Sequence, residues 1–130
     1  FPRITPSVEN GKGGFVQFLR GNEVALGSTE FIVFRSINLS PEYVYLVSRE
    51  KDLRQIAEKS MIGASGRQRV QEQCFDNYKI ARPPKHLLDK FSVIVVPMFK
   101  EVHVLSLKNA NLRRTRDMLL PKLVSGEVEV

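Results

Sequence analysis

Two kinds of hydrophobic periodicity divide the chain. In residues 1–83 the apolar positions come in short runs. Gly14–Leu19 and Thr29–Arg35 are rich in Phe, Val and Ile, which predicts strands, with turns at Arg20-Gly21-Asn22 and Leu26-Gly27-Ser28. From Phe31 on, both faces of the Thr29–Phe34 run are apolar, so this strand is expected to be central and buried on both sides. Ser40-Pro41-Glu42 reads as a helix start: a capping hydroxyl, a proline suited to the first helical position, and a carboxylate at the positive end of the dipole. A second helix is expected over Lys51–Ser60, with Leu53, Ile56, Ala57 and Ser60 on one side. A glycine-punctuated basic loop follows at Met61–Arg69. Tyr78–Ala81 then reads as a short strand stopped by Pro83-Pro84.

Residues 84–130 follow a seven-residue period instead. Phe91, Met98, Leu105, Leu112 and Leu119 fall at d positions, and Val95, Val102, Asn109, Arg116 and Leu123 at a positions. Only Asn109 and Arg116 interrupt this apolar seam, the pattern of a coiled coil with two polar positions that set register and partner choice. Pro97 is expected at the first turn of the long helix, with a shorter helix before it. From Pro97 to Leu120 such a helix is roughly 36 Å long at 1.5 Å per residue. Pro121 and Ser125-Gly126 are expected to end it, leaving Glu127–Val130 as a tail. A core built from about 80 residues cannot bury the outer turns of so long a helix, so a partner helix is expected. The predicted fold class is therefore α+β: a globular mixed strand and helix domain over 1–83, then a coiled-coil-forming helix within 84–130.

Composition and charge narrow the function. At 130 residues and 42% hydrophobic, the chain can form a core. Basic residues outnumber acidic ones by 20 to 14, giving a formal charge of +6 that is divided evenly between the two regions. That excess favours a polyanionic partner. Cys74 is the single cysteine, which excludes an internal disulfide and fits a reducing, cytoplasmic setting. Phe1–Pro6 has no signal-peptide pattern, and the apolar run Val93–Phe99 is far too short to span a membrane, so no membrane partner is expected. A start on Phe1 points to a piece of a longer protein.

Catalytic chemistry is missing from the pattern. His86 and His103 have no metal-ligand spacing with Cys, Asp or Glu, and Cys74 has no nearby base. Asn10-Gly11-Lys12-Gly13-Gly14 lacks the spacing of a phosphate-binding P-loop and precedes a predicted strand. No base-methylation motif and no acidic cluster for magnesium-dependent cleavage is found. The chain is expected to be non-catalytic, with no cofactor of its own.

Several segments together resemble the DNA-specificity subunit of type I restriction–modification systems. They are Ile4-Thr5-Pro6 with Glu9–Gly13, Gly27-Ser28-Thr29-Glu30-Phe31, Pro41–Tyr45, Gly63–Val70, and the closing stretch Asn111–Glu127. They run through nearly the whole chain in order, and the closing stretch resembles the end of a second spacer helix. The resemblance implies a C-terminal target recognition domain with its spacer helix, reading one half of a bipartite site in double-stranded DNA. It further implies a second spacer helix, from the same full-length subunit or a second copy, and modification (methyltransferase) and restriction subunits docked on the pair. Adenine methylation and ATP-dependent cleavage would belong to those subunits. The family has two recognition domains and two spacer helices; this chain has one of each.

Candidate DNA contacts follow from side-chain chemistry. Ser65, Arg67, Gln68 and Arg69 suit base reading, since Arg pairs bidentately with guanine and Gln with adenine. Lys12 and Arg20, expected near the tips of the first strands, suit phosphates. The recurrence of such Gly-Arg-Gln-Arg loops in the family leaves a backbone or structural role open beside base reading, and Ser28, Thr29 and Glu30 read as structural. The competing class is a coiled-coil assembly module with no DNA affinity.

Overall fold

A computed structural model describes residues 1–128 of the chain. Of the expected tail Glu127–Val130, the last two residues lie outside the described residues. The elements are α1 (Pro41–Ser48), α2 (Lys51–Lys59), a 3₁₀ turn at Glu72–Phe75, and α3 (Lys85–Val124). Two compact units form, Phe1–Ser92 and Val93–Val130.

The expected mixed α+β fold is not what forms. Helix takes 48% of the residues and bridges only 4%, without a sheet, so the chain is mostly helical. Neither Gly14–Leu19 nor Tyr78–Ala81 forms a bridge among the described residues. In Thr29–Arg35, Phe31 alone bridges. Ile32 is buried and Phe34 packs on the core, whereas Val33 is 81% exposed, so only one face is covered.

The pairing is confined to three isolated antiparallel bridges, Pro2 with Phe31, Ile4 with Arg69, and Ile62 with Arg69. A physical limit is visible in the N-terminal segment that the first two use. Pro2 and Pro6 have no N–H to donate, and from Ser7 the chain turns on itself through bonds such as Val8 N–H to Ile4 O at 3.2 Å. A ladder has no room to grow there.

The helices start where local chemistry places them. Ser40 Oγ accepts the Tyr43 N–H at 3.2 Å, Pro41 occupies the first turn, and Glu42 lies beside the positive helix end. α2 buries Leu53 and Ala57. Just past its end, Ser60 Oγ accepts the Gln71 N–H at 3.2 Å and ties the helix to the following segment.

α3 does not begin at Pro97. Pro83-Pro84 open it instead: Pro84 O accepts the Leu87 and Leu88 N–H groups, and a preceding proline needs no donor there. Pro97 and Pro121 both lie inside the helix. An interior proline costs about 3 kcal/mol through one lost hydrogen bond and a ring clash, and helical sequence on both sides of Pro97 outweighs it. Gly126, at φ 75°, ends the helix: its N–H reaches Leu123 O, and the Glu127 N–H reaches Lys122 O at 2.9 Å. This Schellman pairing is reinforced by the Lys122–Glu127 ion pair at 3.0 Å.

The core of the Phe1–Ser92 unit is small. Val8, Ile32, Ala57 and Val70 form it, with Phe1, Phe34, Met61, Cys74 and Phe75 packed around them. Phe1, Phe34 and Phe75 meet as an aromatic trio with ring centroids 5.2–5.6 Å apart. Val8 and Val70 are wholly buried, each contributing about 1.5–3 kcal/mol by burial. Val70→Ala should therefore lower unfolding free energy by about 1–3 kcal/mol in urea titrations, and Val24→Ala, at an exposed position, by no more than about 0.5 kcal/mol. Equal effects would contradict this core.

Candidate nucleic-acid interface

The loop between Ile62 and Arg69 is held in one shape by its backbone. Ile62 and Arg69 exchange both N–H to O bonds, at 3.1 and 2.9 Å, and close its base. Arg67 N–H donates to Ala64 O at 3.0 Å across a turn whose third residue is Gly66, at φ 76°, the arrangement of a type II turn. Gly63 sits at φ 135°, where a Cβ would stand 3.0 Å from Arg67 O. Two glycines thus set the loop's path, and Ser65 and Arg67 are left exposed at its tip.

The sides of the loop are braced by two other segments. Thr5 N–H donates to Gln68 O at 3.1 Å, and Gln68 N–H donates to Thr5 Oγ1 at 3.1 Å. On the other side Arg69 Nε and Nη2 grip the Glu30 carboxylate, at 3.0 and 2.6 Å. Glu30 is presented by a tight turn in which its N–H donates to Ser28 Oγ at 3.1 Å and Phe31 N–H donates to Ser28 O at 3.1 Å. Three of the segments singled out in the sequence, around Thr5, Glu30 and Arg67, therefore meet at one place.

The sequence-predicted residues separate accordingly. Ser65 and Arg67 are outward-facing, and Arg67 makes no ion pair among the described residues. Gln68 is half-buried and clamped through its backbone. Arg69 is engaged by Glu30. Lys12 and Arg20 stand exposed on other turns, with no hydrogen bond or ion pair to the loop among the described residues. Arg20 lies in a turn closed by Glu23, whose carboxylate accepts the Arg20 N–H at 2.8 Å. The Arg69–Glu30 pairing spans 39 positions and has no local sequence signal.

The heptad residues lie on α3. None is buried, and Met98, Val102, Leu105, Leu112 and Leu119 are all about half exposed or more. The stretch from Val93 to Val124 is roughly 48 Å of helix at 1.5 Å per residue. Among the described residues no helix is long and apolar enough to cross a membrane, and no group of three or more His, Cys, Asp or Glu could hold a metal ion.

Hydrogen bonding from Arg69 holds the Glu30 carboxyl below its ordinary value of 4.5, and Glu30 in turn raises Arg69. A lowered folded-state pKa gives stability that is present above the unfolded value and lost as pH falls through the folded one. Wild-type thermal midpoints should therefore drop more steeply than those of Glu30→Gln between about pH 5 and about pH 3. Parallel pH profiles for the two proteins would show that this pair contributes nothing to stability.

Comparisons with known proteins show a partial likeness. No family model matches the chain, and no solved structure matches it. The type I restriction enzyme HindI specificity subunit of Haemophilus influenzae is 27% identical over 89 residues, 68% of this chain and 19% of that protein. The type I restriction enzyme MjaIX specificity subunit of Methanocaldococcus jannaschii is 40% identical over 55 residues, 42% of this chain and 13% of that protein. The matched stretches span about a fifth or less of these curated relatives. Over part of its length, then, the chain is similar to type I restriction enzyme specificity subunits.

Proposed function

We propose that the chain is a DNA-recognition module of a type I restriction–modification specificity subunit, reading one half of a bipartite site. The observation that carries this reading is the braced loop: a backbone locked by Gly63 and Gly66 that presents Ser65 and Arg67 to solvent. A rigid loop places a guanidinium fork and a hydroxyl with little entropy lost on binding, which suits contact with base edges in a groove. Gln68 adds an amide beside them. Arg69 reaches DNA only by exchanging Glu30 for a phosphate or a base, so its first role is to hold the loop. Lys12 and Arg20 position the module on phosphates. The likeness to specificity subunits supports the same reading.

In this reading α3 is a spacer. Its exposed seam from Phe91 to Leu123 pairs with a second spacer helix, of the same full-length subunit or of a second copy, with Asn109 and Arg116 selecting the partner. Modification and restriction subunits assemble on that pair and supply the chemistry. The chain itself binds DNA and catalyses nothing.

Enrichment of duplexes from a randomised pool tests this reading. The chain should retain duplexes that share a short motif. Arg67→Ala should weaken the preferred duplex by about 1–3 kcal/mol and relax one position, while Lys12→Ala should weaken all sequences alike. An unenriched pool, with Arg67→Ala behaving as wild type, would overturn base reading by this loop. No retention even at low salt would favour an assembly module without DNA affinity.

A further inference from the structure

The glycine-rich segment Asn10–Gly14 has no P-loop spacing, yet the fold brings two guanidinium groups to it. Arg49, just past the end of α1, donates from Nη1 to Gly11 O at 3.3 Å while its guanidinium lies over the Tyr45 ring, 5.8 Å from the centroid. Arg54, in α2, places Nη1 2.6 Å from where a Cβ on Gly11 would stand. Gly11 is also at φ 59°, a backbone conformation that favours glycine, and the flexible end of Arg54 fills the space beside it. The position of a Cβ on Gly13 is 3.9 Å from Arg49 Nη1.

These groups surround one small cavity, whose polar lining is Gly11, Lys12, Gly13, Ser48, Arg49 and Arg54. Among the described residues no carboxylate lines it. The nearest acidic partner of Arg54 is Glu58, at 3.8 Å from Nε, a long contact between two part-exposed side chains. Three basic side chains therefore line a hollow walled on its other side by Phe1, Pro2 and Val8; Arg54 has only the long contact to Glu58, and an oxyanion entering there would meet an excess of positive charge. Arg suits this task because its fork can hold two phosphate oxygens at once, and Lys12 adds a mobile point charge.

We infer that this cavity is a phosphate site, and that its occupant is a backbone phosphate of duplex DNA. The identity of the occupant rests on the DNA-recognition reading; the anion site does not. The site would anchor the module on the duplex independently of sequence, leaving the Ser65–Arg69 loop to read bases.

Two titrations of the full chain test it. In the first, inorganic phosphate is added while the amide resonances of Gly11 and Gly13 are followed by NMR. Both should shift in wild type, and the shifts should be abolished in Arg54→Gln and in Lys12→Gln. Lys12 is exposed, so the second variant tests the site even if the first fails to fold. In the second, affinity for a random duplex is measured from about 50 to about 200 mM salt. Each variant should bind every sequence more weakly, with the slope of log K against log salt reduced by about 0.9 for each phosphate it no longer neutralises. Lys59→Gln, on the exposed end of α2, should change neither readout. Duplex binding with an unchanged slope in both variants, together with unmoved glycine amides, would overturn the site and leave DNA recognition standing. Phosphate binding by a chain that ignores duplex would uphold the anion site and overturn both its proposed occupant and the DNA reading.

Discussion

The segment Phe1–Val8 has to satisfy its backbone from two directions, and the rest of the Phe1–Ser92 unit is arranged around that requirement. Ile32 N–H reaches Phe1 O and Arg3 N–H reaches Glu30 O on one side, both at 2.8 Å; Val70 N–H reaches Arg3 O, also at 2.8 Å, on the other. A buried peptide group left unpaired costs more than a hydrogen bond gains, so the three segments are held together or not at all. The side chains follow. Phe1 joins Phe34 and Phe75, Val8 joins Val70 and Ala57, and Thr5 is left to clamp Gln68. The same segment thus organises the core and fixes the loop proposed to read DNA.

Charge is distributed to match. Where a basic side chain serves the fold, it has a carboxylate: Arg69 has Glu30, and Arg3 has Glu72 at 3.4 Å. Lys12, Arg20 and Arg67 are exposed without such an ion pair among the described residues. Exposed ion pairs add little stability, so their value at Glu30 is geometric: they hold a loop still. In the proposed function these uncompensated cations would supply the affinity for a polyanion. On α3 the imbalance is hydrophobic instead, with large apolar side chains facing solvent along the heptad seam, the feature behind the proposed pairing with a second helix.

Much of the helical structure was legible, because its signals are local. Ser40, Pro41 and Glu42 announce α1 within three residues, and Leu53 and Ala57 mark the buried side of α2 by their spacing. Strands are different. Val16, Phe18 and Val33 have strand chemistry, yet a run becomes a strand only when another segment accepts its N–H groups, and that choice is not written in the run itself. The proline-bracketed start of the chain, for which no element is expected, takes the central place. Pro97 reads as the boundary between a short helix and a long one, yet helical sequence on both sides carries a single helix through it from Lys85 to Val124. At the candidate interface, the exposed loop and its two glycines could be read directly. The grip of Glu30 on Arg69 and the approach of Arg49 and Arg54 to Gly11 could not, since both depend on contacts between segments far apart in sequence.

The central claim, that one chain joins a DNA-binding surface to a helix that seeks a partner, is tested most directly by analytical ultracentrifugation of the chain with and without a duplex, at low and moderate salt. The expected result is a species larger than one chain, which takes up duplex at low salt and releases it as salt rises. A monomer that sediments unchanged with duplex at every salt concentration would contradict both halves of the claim.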